Sequence, residues 1–209
     1  MTQEKDRNSM RKLQTLYVRL FSEGAVPNGQ RIVVTTPEVT AGMEWVIRGE
    51  GVATIKYDGS CCAIINNELY KRYDAKNGKP IPQGAIPCQP TADAITGHLP
   101  CWVKCSEDDP SDKWYISAYK RWLGTGNNSE KDITYQTFEA CGVHFSGNPY
   151  HYEADILIPH GEEVVEVERS YEGIKRWLKE HPEHEGLVFW RYGTPRCKIR
   201  RKDFGFCWK

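Results

Sequence analysis

The sequence predicts an α+β fold that is built mainly from antiparallel sheets and flanked by helices. Segments rich in β-branched and aromatic residues recur along the chain, and short turn sequences separate them. Two segments combine a capping serine with apolar residues at helical spacing, one after Ser9 and one after Ser170. Strands interspersed with a few helices are typical of the α+β class.

Composition places the chain among water-soluble globular proteins. Of its 209 residues, 39% are hydrophobic and 27% are charged, and the formal net charge is zero. A chain of this length suits one domain, so we expect a single domain over residues 1–209, with residues 1–24 as a helical extension packed on it. The sequence contains no apolar stretch long enough to span a membrane, so we expect no membrane partner and a cytoplasmic location.

The eight cysteines favour reduced thiols, because a chain of this length buries a core without disulfides. Cys88, His98, Cys101 and Cys105 contain the right donor atoms for zinc, but their spacing matches no standard zinc knuckle. Buried free cysteine is the favoured interpretation.

The N-terminal part of the chain predicts one helix followed by strands. Ser9 caps a helix that runs to about Ser22, with apolar residues at helical spacing. "RIVVTTPEV" and "MEWVIRGEGVATIKY" predict strands, and "CCAIINNELYKRYDA" predicts a hairpin that turns at Asn66-Asn67. Residues 76–112 are rich in Pro, Gly and Asp and predict a long irregular segment.

In the C-terminal part, strands surround a second helix. "KWYISAYKRWL" fits a strand or a helix equally well, whereas "DITYQTFEACGVHF" and "ADILIPH" predict strands. Ser170 caps a helix over Tyr171–Glu180. "GLVFWRY" and "RCKIRR" predict two final strands.

The most unusual residue is Lys56, which ends an apolar strand and is followed by Asp58 and Gly59. A strand interior normally excludes lysine, because removing its charge from water is costly unless the charge is paired. A lysine amine is a nucleophile only when it is neutral, which requires desolvation or positive neighbours. Lys198 and Arg200 are two apart on a predicted strand and therefore share a face, so they are candidates for those neighbours.

Four segments carry a resemblance to a known family. Lys56-Tyr57-Asp58-Gly59 has the Lys-x-Asp-Gly form of the covalent nucleotidyltransferases, which include ATP-dependent ligases and messenger-RNA capping enzymes. "TFEACG", "EGLVFW" and "CKIRR" resemble three further motifs of these enzymes, in the same order. The resemblance implies a nucleotidyltransferase (adenylation) domain. Because the chain ends soon after the last motif, we expect no OB-fold domain.

Within that superfamily the chain is most similar to RNA ligases that join 5′-phosphate and 3′-hydroxyl ends, in particular the vertebrate-type branch. "KYDGSCC", "GHLPCW", "GNPY", "LIPHG" and "FGFCW" resemble signature segments of that branch. The resemblance implies an ATP-dependent RNA ligase acting in RNA repair. Its partners would be RNA with 5′-phosphate and 3′-hydroxyl ends, and its cofactors would be ATP and Mg²⁺, or Mn²⁺ in its place.

The resemblance also implies a role for each matching residue. Lys56 would be the nucleophile, Asp58 would help to hold the RNA end, and Gly59 would keep the motif loop clear of the nucleotide. The other roles belong to residues that would contact ATP or magnesium: Arg72 on ribose or the RNA 5′-phosphate, Glu139 on the ribose hydroxyls, Glu185 on Mg²⁺, and Lys198 and Arg200 on the α-phosphate.

Two questions stay open at the level of sequence. Ala154 stands where many relatives carry an aromatic residue that stacks on adenine. Either Tyr150, Tyr152 or an aliphatic residue such as Val188 covers the base instead, or adenine recognition differs from that of the family. The alternative functions are another covalent nucleotidyltransferase, either a DNA nick ligase or a capping-type enzyme, and a non-catalytic RNA-binding module with this fold. A binding module has no need of a nucleophilic lysine.

Overall fold

A computed structural model describes residues 10–21, 33–76, 79–94 and 96–209. The fold is α+β with mostly antiparallel sheets, as the sequence predicts. Thirteen strands are present in this part of the chain: β1 (Gln14–Thr15), β2 (Tyr17–Phe21), β3 (Val33–Val39), β4 (Val52–Lys56), β5 (Ser60–Ile65), β6 (Glu68–Ala75), β7 (Ile86–Pro87), β8 (Leu99–Lys104), β9 (Tyr135–Cys141), β10 (Ile156–Pro159), β11 (Val164–Val165), β12 (Gly186–Arg191) and β13 (Thr194–Arg200).

Three α-helices accompany these strands: α1 (Glu44–Ile47), α2 (Lys113–Leu123) and α3 (Tyr171–Glu180). Three short 3₁₀ helices complete the regular structure: Pro110–Asp112, Asn128–Glu130 and Arg201–Phe204. Among the described residues, no helix is both long enough and apolar enough to cross a membrane.

The chain divides into two units. Unit 1 contains Asp58–His160 together with the described residues up to Lys12, and unit 2 contains Leu13–Tyr57 and Gly161–Lys209. The Lys-x-Asp-Gly motif therefore crosses from unit 2 to unit 1 between Tyr57 and Asp58.

Unit 2 is built on a five-stranded sheet with the strand order β1-β13-β12-β4-β11. The β1–β13 pair is parallel, and the other pairs of this sheet are antiparallel. Alternate residues of β4, β12 and β13 enter one core with residues of α3, including Ile55, Leu187, Phe189, Ile199 and Ile174. The opposite face of these strands is consequently free to carry polar groups.

Unit 1 is built on a six-stranded antiparallel sheet with the order β10-β9-β5-β6-β8-β7. One face packs against α2, whose Trp122 ring lies 5.3 Å from the Phe138 ring, centroid to centroid. On the other face, Ala63 and Trp102 form a smaller core with Cys88. The segment "KWYISAYKRWL", which periodicity left undecided, is thus a helix that covers a sheet.

The predicted hairpin and the predicted helix after Ser170 are confirmed. Asn66 and Asn67 connect β5 to β6 with φ angles of 49° and 64°, which asparagine tolerates better than most residues. The Ser170 hydroxyl accepts a hydrogen bond of 3.0 Å from the Gly173 N–H and caps α3.

The predicted N-terminal helix is wrong over residues 10–21, while residues 1–9 and 22–24 lie outside the described residues. Instead, β1 pairs with β13 and β2 pairs with β3. Thr15, Leu16 and Tyr17 are all buried. A helix with one buried face would not bury three consecutive residues. Pairing with distant strands overrides the local helical spacing here.

Two further segments differ from the prediction. "MEWVIRGEGVATIKY" is not one strand, because it begins with α1. Gly49 and Gly51, both at positive φ, separate α1 from β4. The segment 76–112 is not wholly irregular, since it contains β7 and β8. All eight cysteines lie among the described residues, and none of them forms a disulfide.

Candidate active site

The sheet of unit 2 presents a polar face that contains Lys56. Lys56 on β4 lies opposite Gly186 on β12, which lies opposite Arg200 on β13. Two residues along, Thr54, Val188 and Lys198 form a second row across the same strands. Because alternate strand residues point to the same side, Lys56, Lys198 and Arg200 share the face opposite the core. With Glu185, they form what we call the lysine cluster.

Lys56 is held by an ion pair with Glu185. Its Nζ donates hydrogen bonds to Glu185 Oε2 and, at 3.2 Å, to the Tyr57 carbonyl oxygen. The side chains of Lys56 and Glu185 are only 20% and 9% exposed, so water screens this pair weakly. Glu185 is therefore the counterion of Lys56 in this structure.

The surroundings of Lys198 lower its pKa. Burial, followed by the positive charges of Arg200 and Lys56, lowers its pKa to about 8, although Glu185 and Asp203 act in the opposite direction. Lys198 and Arg200, the candidate positive neighbours of Lys56, thus lie in unit 2 with it, and the resolved effect of repulsion is that of Arg200 and Lys56 on Lys198.

Arg200 is bound by a carboxylate that the sequence did not assign. Its Nε and Nη2 donate to the two carboxylate oxygens of Asp203, at 3.1 and 3.0 Å, and its backbone N–H donates to Asp203 Oδ2 at 2.9 Å. Asp203 is 1% exposed, so this fork-shaped pair fixes the guanidinium at the end of β13.

Val188 lies in the central strand of the same sheet face, between Thr54 and Lys198, and is half-buried. Nearby, the Trp190 indole N–H donates to Thr54 Oγ1 at 2.9 Å. An aliphatic side chain therefore lies in the same cross-strand row as Lys198, on the face that carries Lys56.

The other assigned residues belong to unit 1, where Glu139 forms a second polar group. The Gly59 N–H donates to Glu139 Oε1 at 3.0 Å, and His160 Nε2 lies 2.9 Å from Glu139 Oε2. Gly59 itself packs against β9, since a Cβ there would lie 2.2 Å from the Ala140 carbonyl oxygen. Close packing against β9, rather than a left-handed turn, thus requires glycine at this position.

Asp58 and Arg72 are held by other neighbours within unit 1. The Asp58 backbone N–H donates to the Tyr150 hydroxyl at 2.7 Å. The Arg72 guanidinium donates to Asp74 Oδ1 at 3.1 Å and to the Met10 carbonyl oxygen at 2.8 Å. Burial lowers the pKa of Arg72, but the neighbouring Cys61 and Asp74 outweigh burial, and the net pKa is raised.

The structure thus brings Lys56, Glu185, Lys198 and Arg200 together in unit 2, and Gly59 and Glu139 together in unit 1. Sequence reasoning missed Asp203 and His160. Asp203 is the one acidic residue of the basic stretch from Arg191 to Lys209, a signal that could have marked it as a partner of arginine. For His160, the sequence offered only its position in "LIPHG".

Two comparisons with known proteins find no match for the chain. No protein-family model matches it, and a search of curated proteins finds no significant match. The geometry of the two polar groups and the motif resemblance are therefore the basis of the functional assignment.

Proposed function

We propose that the protein is an ATP-dependent RNA ligase that joins 5′-phosphate and 3′-hydroxyl ends through a covalent lysine–AMP intermediate. The lysine cluster carries the proposal: a strand-end lysine paired with a buried glutamate on a sheet face that also holds Lys198 and Arg200. An exposed basic strand edge needs neither a buried carboxylate nor a lysine whose pKa is lowered to about 8.

In the proposed reaction, Lys56 Nζ attacks the α-phosphorus of ATP, and pyrophosphate leaves as the bond to the β-phosphate breaks. The RNA 5′-phosphate then displaces the lysine from AMP, and the 3′-hydroxyl attacks the activated 5′-phosphorus with release of AMP. Each step transfers a phosphoryl or nucleotidyl group, so the protein mainly positions the groups and offsets their charge.

Lys56 has to lose its proton before it can attack. In the structure its counterion is Glu185. Once Glu185 is engaged elsewhere, Lys198 and Arg200 are positive groups on the same sheet face, and positive neighbours are what a nucleophilic amine requires. Those two cations are also the groups proposed to bind the α-phosphate. Exchange of the Glu185 ion pair is therefore the step at which binding activates the nucleophile.

Glu185 fits the magnesium ion that such a reaction requires. It is buried, and its carboxylate already pairs with the Lys56 side chain. A carboxylate oxygen is a suitable ligand for a hard ion that keeps most of its waters, and Mg²⁺ bound there would neutralise phosphate charge. Asp203 is less suitable, because Arg200 occupies both of its oxygens.

In unit 1, we assign Glu139 to the ribose hydroxyls, and Asp58 and Arg72 to the RNA end or the ribose. Glu139 is held by the Gly59 N–H and by His160, so its carboxylate is fixed in one orientation. A fixed carboxylate accepts hydrogen bonds from a diol at a lower cost in entropy than a mobile one. We assign the adenine to Val188, which lies on the sheet face that carries Lys56.

The first test is covalent labelling. Incubation with Mg²⁺ and ATP labelled at the α-phosphate should leave label on the denatured protein, and the bond should be labile to acid and stable to base, as a phosphoramidate is. Lys56→Ala should abolish the label. Lys202→Ala, which alters an exposed lysine close in sequence to Lys198, should keep it. Circular dichroism of both variants checks that they fold.

Peptide mapping of the adduct decides which amine reacts. Lys198 is a specific rival, because its lowered pKa makes it the amine that loses its proton more readily than an ordinary lysine. AMP found on Lys56 supports the proposal, whereas AMP found on Lys198 contradicts the assignment of the nucleophile. Label from GTP instead of ATP would indicate a capping-type enzyme.

The substrate is tested with nicked duplexes that differ only in the sugars beside the nick. A ribose at the 3′-hydroxyl side should be sealed faster than a deoxyribose. Preference for deoxyribose would contradict an RNA ligase and favour a DNA nick ligase. Absence of both labelling and sealing would favour the non-catalytic RNA-binding module.

A further inference from the structure

In unit 1, three side chains of types that can ligate a metal converge on one face of the six-stranded sheet. Cys61 on β5 lies directly opposite Glu139 on β9. The His160 N–H donates to the Thr137 carbonyl oxygen at 3.0 Å, which places His160 opposite Thr137 and therefore on the same side as Glu139. One donor atom from each of Cys61, Glu139 and His160 lies within 4.8 Å of the other two.

From this convergence we propose that Cys61, Glu139 and His160 bind a zinc-type divalent cation, with the fourth position open to water or a ligand. Tetrahedral zinc has bonds of about 2.0 to 2.3 Å to nitrogen, oxygen and sulfur, so its donor atoms are roughly 3.5 Å apart. In the structure the three donor atoms lie within 4.8 Å of one another, so an ion would draw them closer together. None of them is fully exposed, so the ion would be partly shielded from water.

The donor types select the ion. Thiolate and imidazole favour Zn²⁺ over Mg²⁺, which prefers oxygen ligands in an octahedral arrangement. One thiolate and one carboxylate supply two negative charges and balance the ion.

His160 and Glu139 are each oriented by a second hydrogen bond, as metal ligands in proteins usually are. His160 Nδ1 lies 3.0 Å from Thr137 Oγ1, and a hydroxyl oxygen can accept a hydrogen bond from Nδ1–H while Nε2 binds a metal. Glu139 Oε1 is held by the Gly59 N–H at 3.0 Å, which leaves Oε2 directed at His160. An ion would replace the Glu139–His160 hydrogen bond and leave both supporting contacts in place.

The site is tested by titrating the full-length, chelator-treated protein with Co²⁺ and then displacing Co²⁺ with Zn²⁺. We expect one Co²⁺ per chain, with a charge-transfer absorption band from a bound thiolate. Cys61→Ser should abolish that band. His160→Asn and Glu139→Gln should weaken binding at least tenfold, and Thr137→Val should weaken it by about 10- to 100-fold, as loss of a supporting contact does.

Matched controls alter residues of the same types outside the cluster. Cys207→Ser and His151→Asn, both at exposed positions, should leave the band and the affinity unchanged. If a variant fails to fold, the site is tested on the unaltered protein instead. Zn²⁺ should protect Cys61, and not Cys207, from alkylation, as mapped by mass spectrometry.

Absence of Co²⁺ binding, or binding that survives both Cys61→Ser and His160→Asn, would overturn the proposal. Equal alkylation of Cys61 with and without Zn²⁺ would also overturn it. These measurements involve no nucleotide, so the metal site and the proposed ligase activity can fail separately, although Zn²⁺ on Glu139 would compete with the contact to ribose that we assign to this carboxylate.

Discussion

A close contact with β9 explains why the Lys-x-Asp-Gly motif needs glycine at position 59. At Gly59, a Cβ would lie 2.2 Å from the Ala140 carbonyl oxygen and 2.8 Å from Cys141 Sγ, and the first of these atoms belongs to the backbone of a central strand. The backbone of β9 cannot yield without disturbing the pairs that it makes with β5 and β10. Glycine at this position is therefore a packing requirement, whatever the chemistry of the motif.

We predict that Gly59→Ala lowers the free energy of unfolding by about 2 kcal/mol or more, because it overpacks a rigid contact. Chemical denaturation measures the change. Gly124→Ala is the matched control, since its Cβ would meet no atom closer than 3.4 Å and Gly124 lies at the exposed end of α2. An equal loss in both variants would contradict the packing argument.

Lys198 illustrates how neighbouring charges alter a single side chain. Its pKa is lowered from 10.5 to about 8 in the folded protein, chiefly by burial and then by Arg200 and Lys56. Because the folded state binds this proton more weakly than the unfolded state does, the protonated form opposes folding. This contribution lowers the free energy of unfolding by its full amount below pH 8, and it disappears as the pH rises towards 10.5.

We therefore predict that Lys198→Met is more stable than the unaltered protein below pH 8, by at most about 3 kcal/mol, with the difference shrinking towards pH 10.5. Unfolding by urea at several pH values measures this difference. A pH-independent difference between the two proteins would show that Lys198 is not the titrating group. Lys202→Met, at an exposed position, serves as the control.

Among the secondary-structure elements, those with local signals were predicted well. Helix α3 begins and ends where the sequence placed it, because Ser170 supplies a cap and the following residues supply an apolar stripe. The β5–β6 hairpin was also predictable, since Asn66-Asn67 favours the left-handed backbone of a tight turn. Both signals act over a few residues.

We predict that Ser170→Ala lowers the free energy of unfolding by about 1 kcal/mol, because the Gly173 N–H loses its acceptor at the start of α3. Ser170→Thr should retain most of the stability, since threonine also caps helices. Ser129→Ala, at an exposed position in a 3₁₀ helix, controls for the loss of a hydroxyl. A Ser170→Ala variant as stable as the parent protein would exclude a contribution from the cap.

The elements that were mispredicted depend on distant partners. β1 and β2 take their conformation from β13 and β3, and β8 lies between β6 and β7 within a segment rich in turn-forming residues. No pattern within these segments outweighs the helical spacing or the turn residues. Pairing energy arises only once the partner strand is in place, so a local reading of the sequence cannot include it.

Across the protein, the charge distribution differs from what the sequence indicates. The C-terminal stretch from Arg191 to Lys209 carries seven basic residues and one acidic residue, which predicts a basic surface for RNA. In the structure, Arg191 pairs with Glu50 at 2.5 Å and Arg200 with Asp203, while Arg201 is buried and donates to the Leu178 and Cys207 carbonyl oxygens. Arg191 and Arg201 therefore serve the fold, and Asp203 offsets the charge of Arg200.

The RNA binding that we propose should consequently depend only moderately on salt. Lys202 is exposed, and Lys202→Gln should reduce the slope of log affinity against log salt by about 0.7 for a 5′-phosphorylated single strand, the effect of one lost phosphate contact. Lys120→Gln is the control, because Lys120 is exposed in unit 1 and pairs with Glu107. Equal slopes for the parent protein and Lys202→Gln would exclude Lys202 from the phosphate contacts.

Local sequence was sufficient to predict the α+β class, the helix after Ser170, the hairpin and the face that Lys198 and Arg200 share, because helical and strand periodicity depend on a few neighbouring residues. Tertiary structure alone decided that Lys56 pairs with Glu185, that Asp203 binds Arg200, and that His160 and Cys61 meet at Glu139. These contacts join residues from separate strands, and strand order and register are set by which apolar faces bury against one another.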